Sequence, residues 1–460
     1  MSAINARGAG APGAPGAPEA RAVASFTGGR AVTAPLTWGQ ISIWDPIIAA
    51  IPNDAFFNLS RVLEPSRRRR VGVDAAASAV GQLVSRHEAL RTRIHQSADG
   101  PYQEVLAEGQ LDVDLVFADT DGAAAAAALR GWLVAPRFDY AAELPLRVGF
   151  VVAGEAVTHI AIAFSHATVD GHAIDLVLRD LRLLLSRGHI TTPPGTSPAA
   201  LAAREAAEGD ARTRDALAHW RDGLLRIPPT MFPPDAEPSD PPFARGALAS
   251  SAVLGAAHRL AVQHATSTST VILAAVLAVM ARWTGHDTVA LRIISSNRFQ
   301  ADHARIVAPM AQSGLAVLDV ADSPSFATLV GRMSRAAMMA YRSGYYQART
   351  DAQVVAEVSA ERGVEVNPYA CFNDVRSGGD GILPPQPPDP AEIEAARART
   401  TLSWLEPPAS YHCRFCVELL HHASDGVTIL LTTDTRCLPA ASVERYLTEI
   451  ESLLVAEALD

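Results

Sequence analysis

The chain has 460 residues, of which 48% are hydrophobic, and a formal net charge of −10. That length and apolar content suit two or three packed domains, and the acidic balance lacks the cationic excess of a phosphate-binding surface, which argues against a nucleic-acid partner. All 39 basic residues are arginine, so mechanisms that need a Schiff-base lysine or a phosphate-loop lysine are excluded.

Residues 1–33 contain "GAGAPGAPGAPEARA", which has neither the order of a signal peptide nor apolar periodicity and reads as a disordered Gly/Ala/Pro-rich tail. A first half over 34–187 follows. "FFNLSRVL" (56–63) has strand character, and "DAAASAVGQLVSRHEALRTRI" (74–94) reads as a helix capped by Asp74, with Val80, Leu83, Val84 and Leu90 on one face. "LPLRVGFVVAG" and "AVTHIAIAF" (144–154 and 156–164) form an expected hairpin. Beyond it Ile174, Val177, Leu178 and Leu181 mark a helix face, which sets His166 at a strand-to-helix transition. Prolines crowd 188–246 around one helix near Ala216–Leu225, and this stretch reads as a linker. The second half, 247–460, opens with a helix over 266–285 ended by Gly285, followed by a buried strand over 288–294. Near the end come a hairpin turning at Asp425-Gly426 and a closing helix from Ala440 to Ala456.

The alternation predicts an α/β protein of two halves. No apolar run approaches the roughly 18–20 residues of a membrane span. Cys371, Cys413, Cys416 and Cys437 are too few for a disulfide framework, so a cytoplasmic location is the default. Nothing in the composition demands an oligomer, and a monomer is expected.

Two readings of His166 stand on the residues alone: a histidine that hydrogen-bonds a turn, or a reactive group that a rigid scaffold presents on a loop. Asp170-Gly171 by itself is an ordinary turn dipeptide. In context, however, His-x-x-x-Asp-Gly between a buried strand and an amphipathic helix resembles the central motif of nonribosomal-peptide condensation domains, members of the chloramphenicol acetyltransferase-like superfamily. Its companions occur in order: "LTWGQISIW" (36–44), "RHEALRTRI" (86–94), "FDYAAELPLRV" (138–148), "HWRDGL" (219–224) and "ISSNR" (294–298). The resemblance runs from about residue 34 to the end. Two departures stand out: the family's first motif histidine is Ser165 here, and Gln312 stands where the family has asparagine.

The resemblance implies two acetyltransferase-like lobes in a V with a central tunnel. It further implies a free-standing enzyme that moves an acyl group from the phosphopantetheine thioester of an acyl or peptidyl carrier protein, supplied in trans, to an amine or alcohol, giving an amide or ester. No cofactor or metal is expected in the protein. His166 is the candidate base, since a neutral imidazole can accept the nucleophile's proton as the bond forms; positioning alone is the rival role. Asp170 is expected to be structural, paired with Arg298 or alternatively Arg91, because a buried carboxylate without a partner is penalised. Gly171 is expected to permit a backbone geometry or a close approach. Ser165, Gln312 and Ser313 are candidates for the substrate channel. Three alternatives remain: an O-acyltransferase that uses coenzyme A or a polyketide, a non-catalytic module that recruits a tailoring enzyme, and, less favoured, a cyclisation or epimerisation relative, since the resemblance implies that the cyclising branch replaces the motif histidine with aspartates.

Other features rank lower. Cys413-x-x-Cys416, with His412, His421 and His422, could suggest a metal site, but it lacks a second cysteine pair and reads as strand. "RRRR" (67–70) could dock an acidic carrier, and Tyr341, Tyr345 and Tyr346 could line a channel, against a solvated loop and core packing respectively. No glycine-rich dinucleotide fingerprint follows a strand, so neither nicotinamide nor flavin is expected.

Overall fold

The computed structural model describes residues 5–6, 16–66, 70–118, 122–237, 239–368, 370–376, 380, 383–408, 411, 413–422 and 426–460. The chain divides into two units, the first made of residues 1–209 and 296–311, the second of 210–295 and 312–460.

In the first unit the strands are β1 (Asn5–Ala6), β2 (Ala20–Thr27), β3 (Val32–Pro35), β4 (Leu59–Leu63), β5 (Thr92–Ser97), β6 (Gly100–Val105), β7 (Glu108–Phe117), β8 (Leu146–Ala153) and β9 (Ala156–Phe164). The helices are α1 (Trp38–Ala50), α2 (Val73–Arg86), α3 (Gly122–Val134) and α4 (Gly171–Arg187), and α5 (Pro198–Arg226) passes into the second unit. A six-stranded sheet runs β1-β2-β7-β8-β9-β4, and β3-β6-β5 form a separate sheet. β8 and β9 are covered on both faces, which is why they read as continuous apolar runs. Phe150, Ile160, Ile162 and Phe164 pack into a core with α2 and α4, while Val151, Ala161 and Ala163 meet Leu129 and Leu133 of α3. Ile174, Val177 and Leu181 of α4 are fully enclosed in that core, each contributing about 1.5–3 kcal/mol.

In the second unit β10 (Phe243–Ser250), β11 (Thr288–Ser295), β12 (Gln312–Asp319), β13 (Ala370–Asp374), β14 (Thr401–Trp404), β15 (Phe415–His422) and β16 (Gly426–Asp434) form one sheet. Its order is β12-β11-β13-β15-β16-β10-β14. Around it stand α6 (Ser251–Gln263), α7 (Thr268–Thr284), α8 (Phe326–Arg342), α9 (Thr350–Arg362), α10 (Pro390–Arg397) and α11 (Ala440–Leu459). Ser267 caps α7 and Gly285 closes it at φ 67, a conformation that glycine adopts without a Cβ penalty. Among the described residues no single helix is long and apolar enough to cross a membrane.

Four boundaries differ from the sequence reading. Residues 20–33 are not tail: β2 pairs along its length with β7, from Ala20 opposite Leu115 to Thr27 opposite Glu108. Its inward face is Ala20, Ala22, Ala24 and Phe26, an alternation whose small side chains give a weak signal. The helix expected over 74–94 stops at Arg86, Gly72 rather than Asp74 is its N-cap, and Thr92 already begins β5. The expected linker over 188–246 holds a 29-residue helix, α5. It starts at Pro198, because a proline in the first turn lacks only an N–H that has no helical partner anyway, and it buries Leu201 in the first unit and Trp220 in the second. Finally, residues 296–311, between β11 and β12, belong to the first unit rather than to a continuous 247–460 lobe.

Arg86 and His87, within "RHEALRTRI", join α2 to α4. Asp180 of α4 is 1% exposed and accepts from Arg86 Nε at 2.8 Å, from His87 Nε2 at 3.1 Å, and from the Nε and NH2 of Arg179 at 3.1 and 2.9 Å. Burial alone would raise its pKa, but the hydrogen bonds from His87, Arg86 and Arg179 outweigh it and hold the carboxyl well below the usual range. A depressed carboxyl pKa stabilises the fold above the unfolded value of about 4, and the contribution fades as pH falls below it. Asp180→Asn is therefore expected to cost about 2 kcal/mol at pH 7 in urea unfolding, with the gap from wild type narrowing as the pH drops under about 4. A gap that stays constant with pH would contradict this account.

Candidate active site

β9 ends at Phe164 and α4 begins at Gly171, so the motif occupies a six-residue connection between two buried elements. Ser165, Ala167, Thr168, Val169 and Asp170 are all buried, and His166 is the one partly exposed side chain. His166 Nδ1 lies 2.8 Å from the Val169 carbonyl oxygen. A carbonyl oxygen only accepts, so Nδ1 carries the hydrogen, and in the neutral ring the Nε2 lone pair is left as an acceptor.

Asp170 fixes the far end of the loop. Its Oδ1 accepts from Ala173 N at 2.9 Å as the N-cap of α4, and from Arg298 NH2 at 2.9 Å. Its Oδ2 accepts from Arg298 NH1 at 2.7 Å and from Met310 N at 3.0 Å. Arg298 also donates to the Ala308 carbonyl oxygen at 2.9 Å, which ties the 296–311 segment to the loop. Asn297 beside it sits at φ 54 and donates through Nδ2 to the Met310 oxygen at 2.9 Å; asparagine tolerates the left-handed region better than most residues. The pair of Asp170 with Arg298 thus exists as a bidentate contact. Arg91, the alternative partner, is committed elsewhere, donating to the carbonyl oxygens of Leu106 and Gly28.

Gly171 departs from expectation. Its backbone is not in the left-handed region, and a Cβ built there meets no atom within 4 Å, so neither strain nor close packing calls for glycine. Gly171→Ala is expected to leave the fold intact and raise stability by up to about 1 kcal/mol, read from the urea midpoint; a loss above that amount would show a backbone requirement.

The channel candidates are internal. Ser165 is 2% exposed, and its hydroxyl accepts from Ala167 N at 3.3 Å within the turn. Ser313 Oγ, in the second unit, accepts from Arg292 at 3.0 and 2.8 Å, and Arg292 in turn meets Asp351 at 2.8 Å. Gln312 donates through Nε2 to the Tyr346 oxygen at 2.9 Å, while its buried Oε1 has no hydrogen-bond partner. Tyr345 and Tyr346 are core residues, and Tyr346 meets Trp220 edge-on. A cleft of about 590 Å³ in the first unit is lined by Arg86, His87, Glu88, Arg91 and His189, among others, and does not include His166.

Several other motif residues brace local structure. Thr37 and Gln40 form a reciprocal capping box at the start of α1, Thr37 Oγ1 accepting from Gln40 N at 3.1 Å and Gln40 Oε1 from Thr37 N at 2.8 Å. Arg147 stacks 3.9 Å over Phe138 and pairs with Glu143 at 2.9 Å. Burial pushes the Cys413 thiol up to about 12, which removes it as a thiolate nucleophile at neutral pH. Of "RRRR", 67–69 lie outside the described residues, as do His412 and Asp425.

The structural fold is that of known condensation domains. A condensation domain described for its part in chain release from the enacyloxin polyketide synthase aligns with a TM-score of 0.62 at 20% identity, over 88% of this chain and 77% of that one. In sequence, the chain is 26% identical over 337 residues to the isonitrile lipopeptide synthase of Mycobacterium tuberculosis, covering 68% of this chain and 13% of that protein. It is 25% identical over 410 residues to the phosphinothricin tripeptide synthetase PhsC of Streptomyces viridochromogenes, covering 82% of this chain and 36% of that protein. The chain therefore spans only a minor part of these relatives' length. The condensation-domain family model matches residues 52–361, which takes in the His166 loop, Arg298 and more than half of the chain, and the chain belongs to the condensation-domain family.

Proposed function

We propose that this protein is an acyltransferase of natural-product assembly, which moves an acyl group from the phosphopantetheine thioester of a carrier protein to an amine or alcohol. One observation carries the reading: His166 is the only partly exposed side chain of its loop, and its Nδ1–H is held by Val169, so that Nε2 is left as the acceptor. In the step, the nucleophile's nitrogen or oxygen bonds to the thioester carbon while Nε2 takes its proton, and the carbon–sulfur bond then breaks. The departing thiolate recovers that proton from the imidazolium. The chemistry stays within the substrate and one side chain, so neither a metal nor a redox cofactor enters it, and substrates carried by acyl or peptidyl carrier proteins imply a cytoplasmic setting.

The test is product formation followed by mass spectrometry, with the full chain, acyl-loaded holo carrier proteins and a panel of amines and alcohols. Product that needs both the carrier and His166 supports the reading. Equal turnover with acyl-coenzyme A shifts the donor class, and turnover unchanged in His166→Ala overturns the assignment.

A further inference from the structure

Three sulfurs converge in the second unit, on residues that the proposed acyl-transfer step does not invoke. β13 and β15 lie side by side in parallel, and their register sets Cys371 directly opposite Cys416. Cys413 enters just ahead of β15, and the three Sγ atoms lie within 4.8 Å of one another. All are buried, at 4%, 4% and 3% exposure for Cys371, Cys413 and Cys416, with Tyr411 packed against them. Cys371 and Cys416 are joined as a disulfide, and Cys413 remains a free cysteine at the same point.

A disulfide needs two cysteines, and the third is then surplus. A C-x-x-C pair at a strand entry, completed by a cysteine from the neighbouring strand, is instead an arrangement that closes around a soft cation. Thiolates bound at about 2.3 Å to one ion lie roughly 3.8–4.0 Å apart, so sulfurs already within 4.8 Å of each other need only small side-chain rotations once the disulfide is reduced. We propose that the reduced chain holds one d10 cation, zinc(II) or copper(I), on the sulfurs of Cys371, Cys413 and Cys416. Each thiol releases its proton to solvent as its bond to the metal forms. Three thiolates complete a trigonal copper(I) site and leave zinc(II) one position for an outside ligand. Metal and disulfide exclude one another, because the sulfurs of Cys371 and Cys416 serve only one of them at a time. The ion would clip β13 to β15 and to the segment entering β15, and this role is independent of the reading of His166.

The experiment takes the full chain, reduced with a phosphine and desalted without oxygen, and titrates it with zinc(II) against a chromophoric chelator and, separately, with copper(I) against bicinchoninate. One equivalent is expected to bind. Cys413→Ser is expected to weaken binding by at least ~100-fold, beyond the usual loss of an outer-shell partner, while its circular dichroism and melting temperature match the wild type because Cys371 and Cys416 remain. Cys437→Ser, the fourth cysteine and not part of the cluster, is expected to bind as the wild type does. A reduced chain that competes for neither ion, or binding that Cys413→Ser leaves unchanged, overturns the site; the two titrations decide between the ions.

Discussion

His166→Gln is expected to fold as the wild type does and to lower acyl transfer by ~10²–10⁴-fold, the range for losing a general base. The substitution is informative because of what it keeps. A glutamine amide can still donate toward the Val169 oxygen, the contact that His166 Nδ1 makes at 2.8 Å, and it can still hydrogen-bond a nucleophile, but it does not accept a proton near neutral pH. His166→Ala removes positioning and proton transfer together. Comparing single-turnover rates of the two variants on a saturating acyl carrier therefore separates the roles. Equal, deep losses place proton transfer at Nε2. A glutamine variant within a few-fold of wild type, beside an inactive alanine variant, would sink the base and leave orientation as the histidine's task. Melting temperatures of both variants are expected to stay close to the wild type, since His166 is partly exposed and its ring hydrogen-bonds the Val169 oxygen of its own loop.

The residues that could be read from the sequence are those whose chemistry is local. His166, Asp170 and the helix face of Ile174, Val177 and Leu181 lie within one strand–loop–helix segment, where periodicity and spacing carry the information. The β8–β9 hairpin was legible for the same reason. Contacts made across long separations were not. Asp170 and Arg298 are 128 residues apart, and only the family resemblance singled out Arg298 over Arg91. Cys371 joins the Cys413-x-x-Cys416 pair through a parallel strand pairing, which no local pattern announces. The missed strand β2 shows a further limit: alternating alanines bury little area, so their period is faint although the strand pairs along its whole length. Prolines misled in the opposite way, because they bracket α5 without interrupting it. Asp180 belongs to no motif of the chain, and an aspartate on the apolar face of α4 is the available signal for its network with Arg86 and His87.

Arg298→Met is expected to cost about 3–5 kcal/mol, because it strands a buried carboxylate rather than merely deleting an attraction. The two side chains are 3% and 7% exposed, and the guanidinium supplies two of the four hydrogen bonds Asp170 accepts. With Arg298 gone, Ala173 N and Met310 N alone face the negative charge. Arg298→Lys does not restore the site, since an ammonium cannot present the planar fork that meets both oxygens while also reaching the Ala308 carbonyl. Removing the charge as well is expected to help: Asp170→Asn combined with Arg298→Met should be more stable than Arg298→Met alone, because the amide keeps an oxygen for the α4 cap. Urea unfolding of the two single variants and the double variant measures the coupling. If Arg298→Met loses less than ~1 kcal/mol, the pair is a surface-like contact and the explanation fails. If the large loss appears and the double variant recovers part of it, the arginine's task is to neutralise the carboxylate that anchors the loop, and His166 keeps its tautomer because Val169, one residue before Asp170, is held in place.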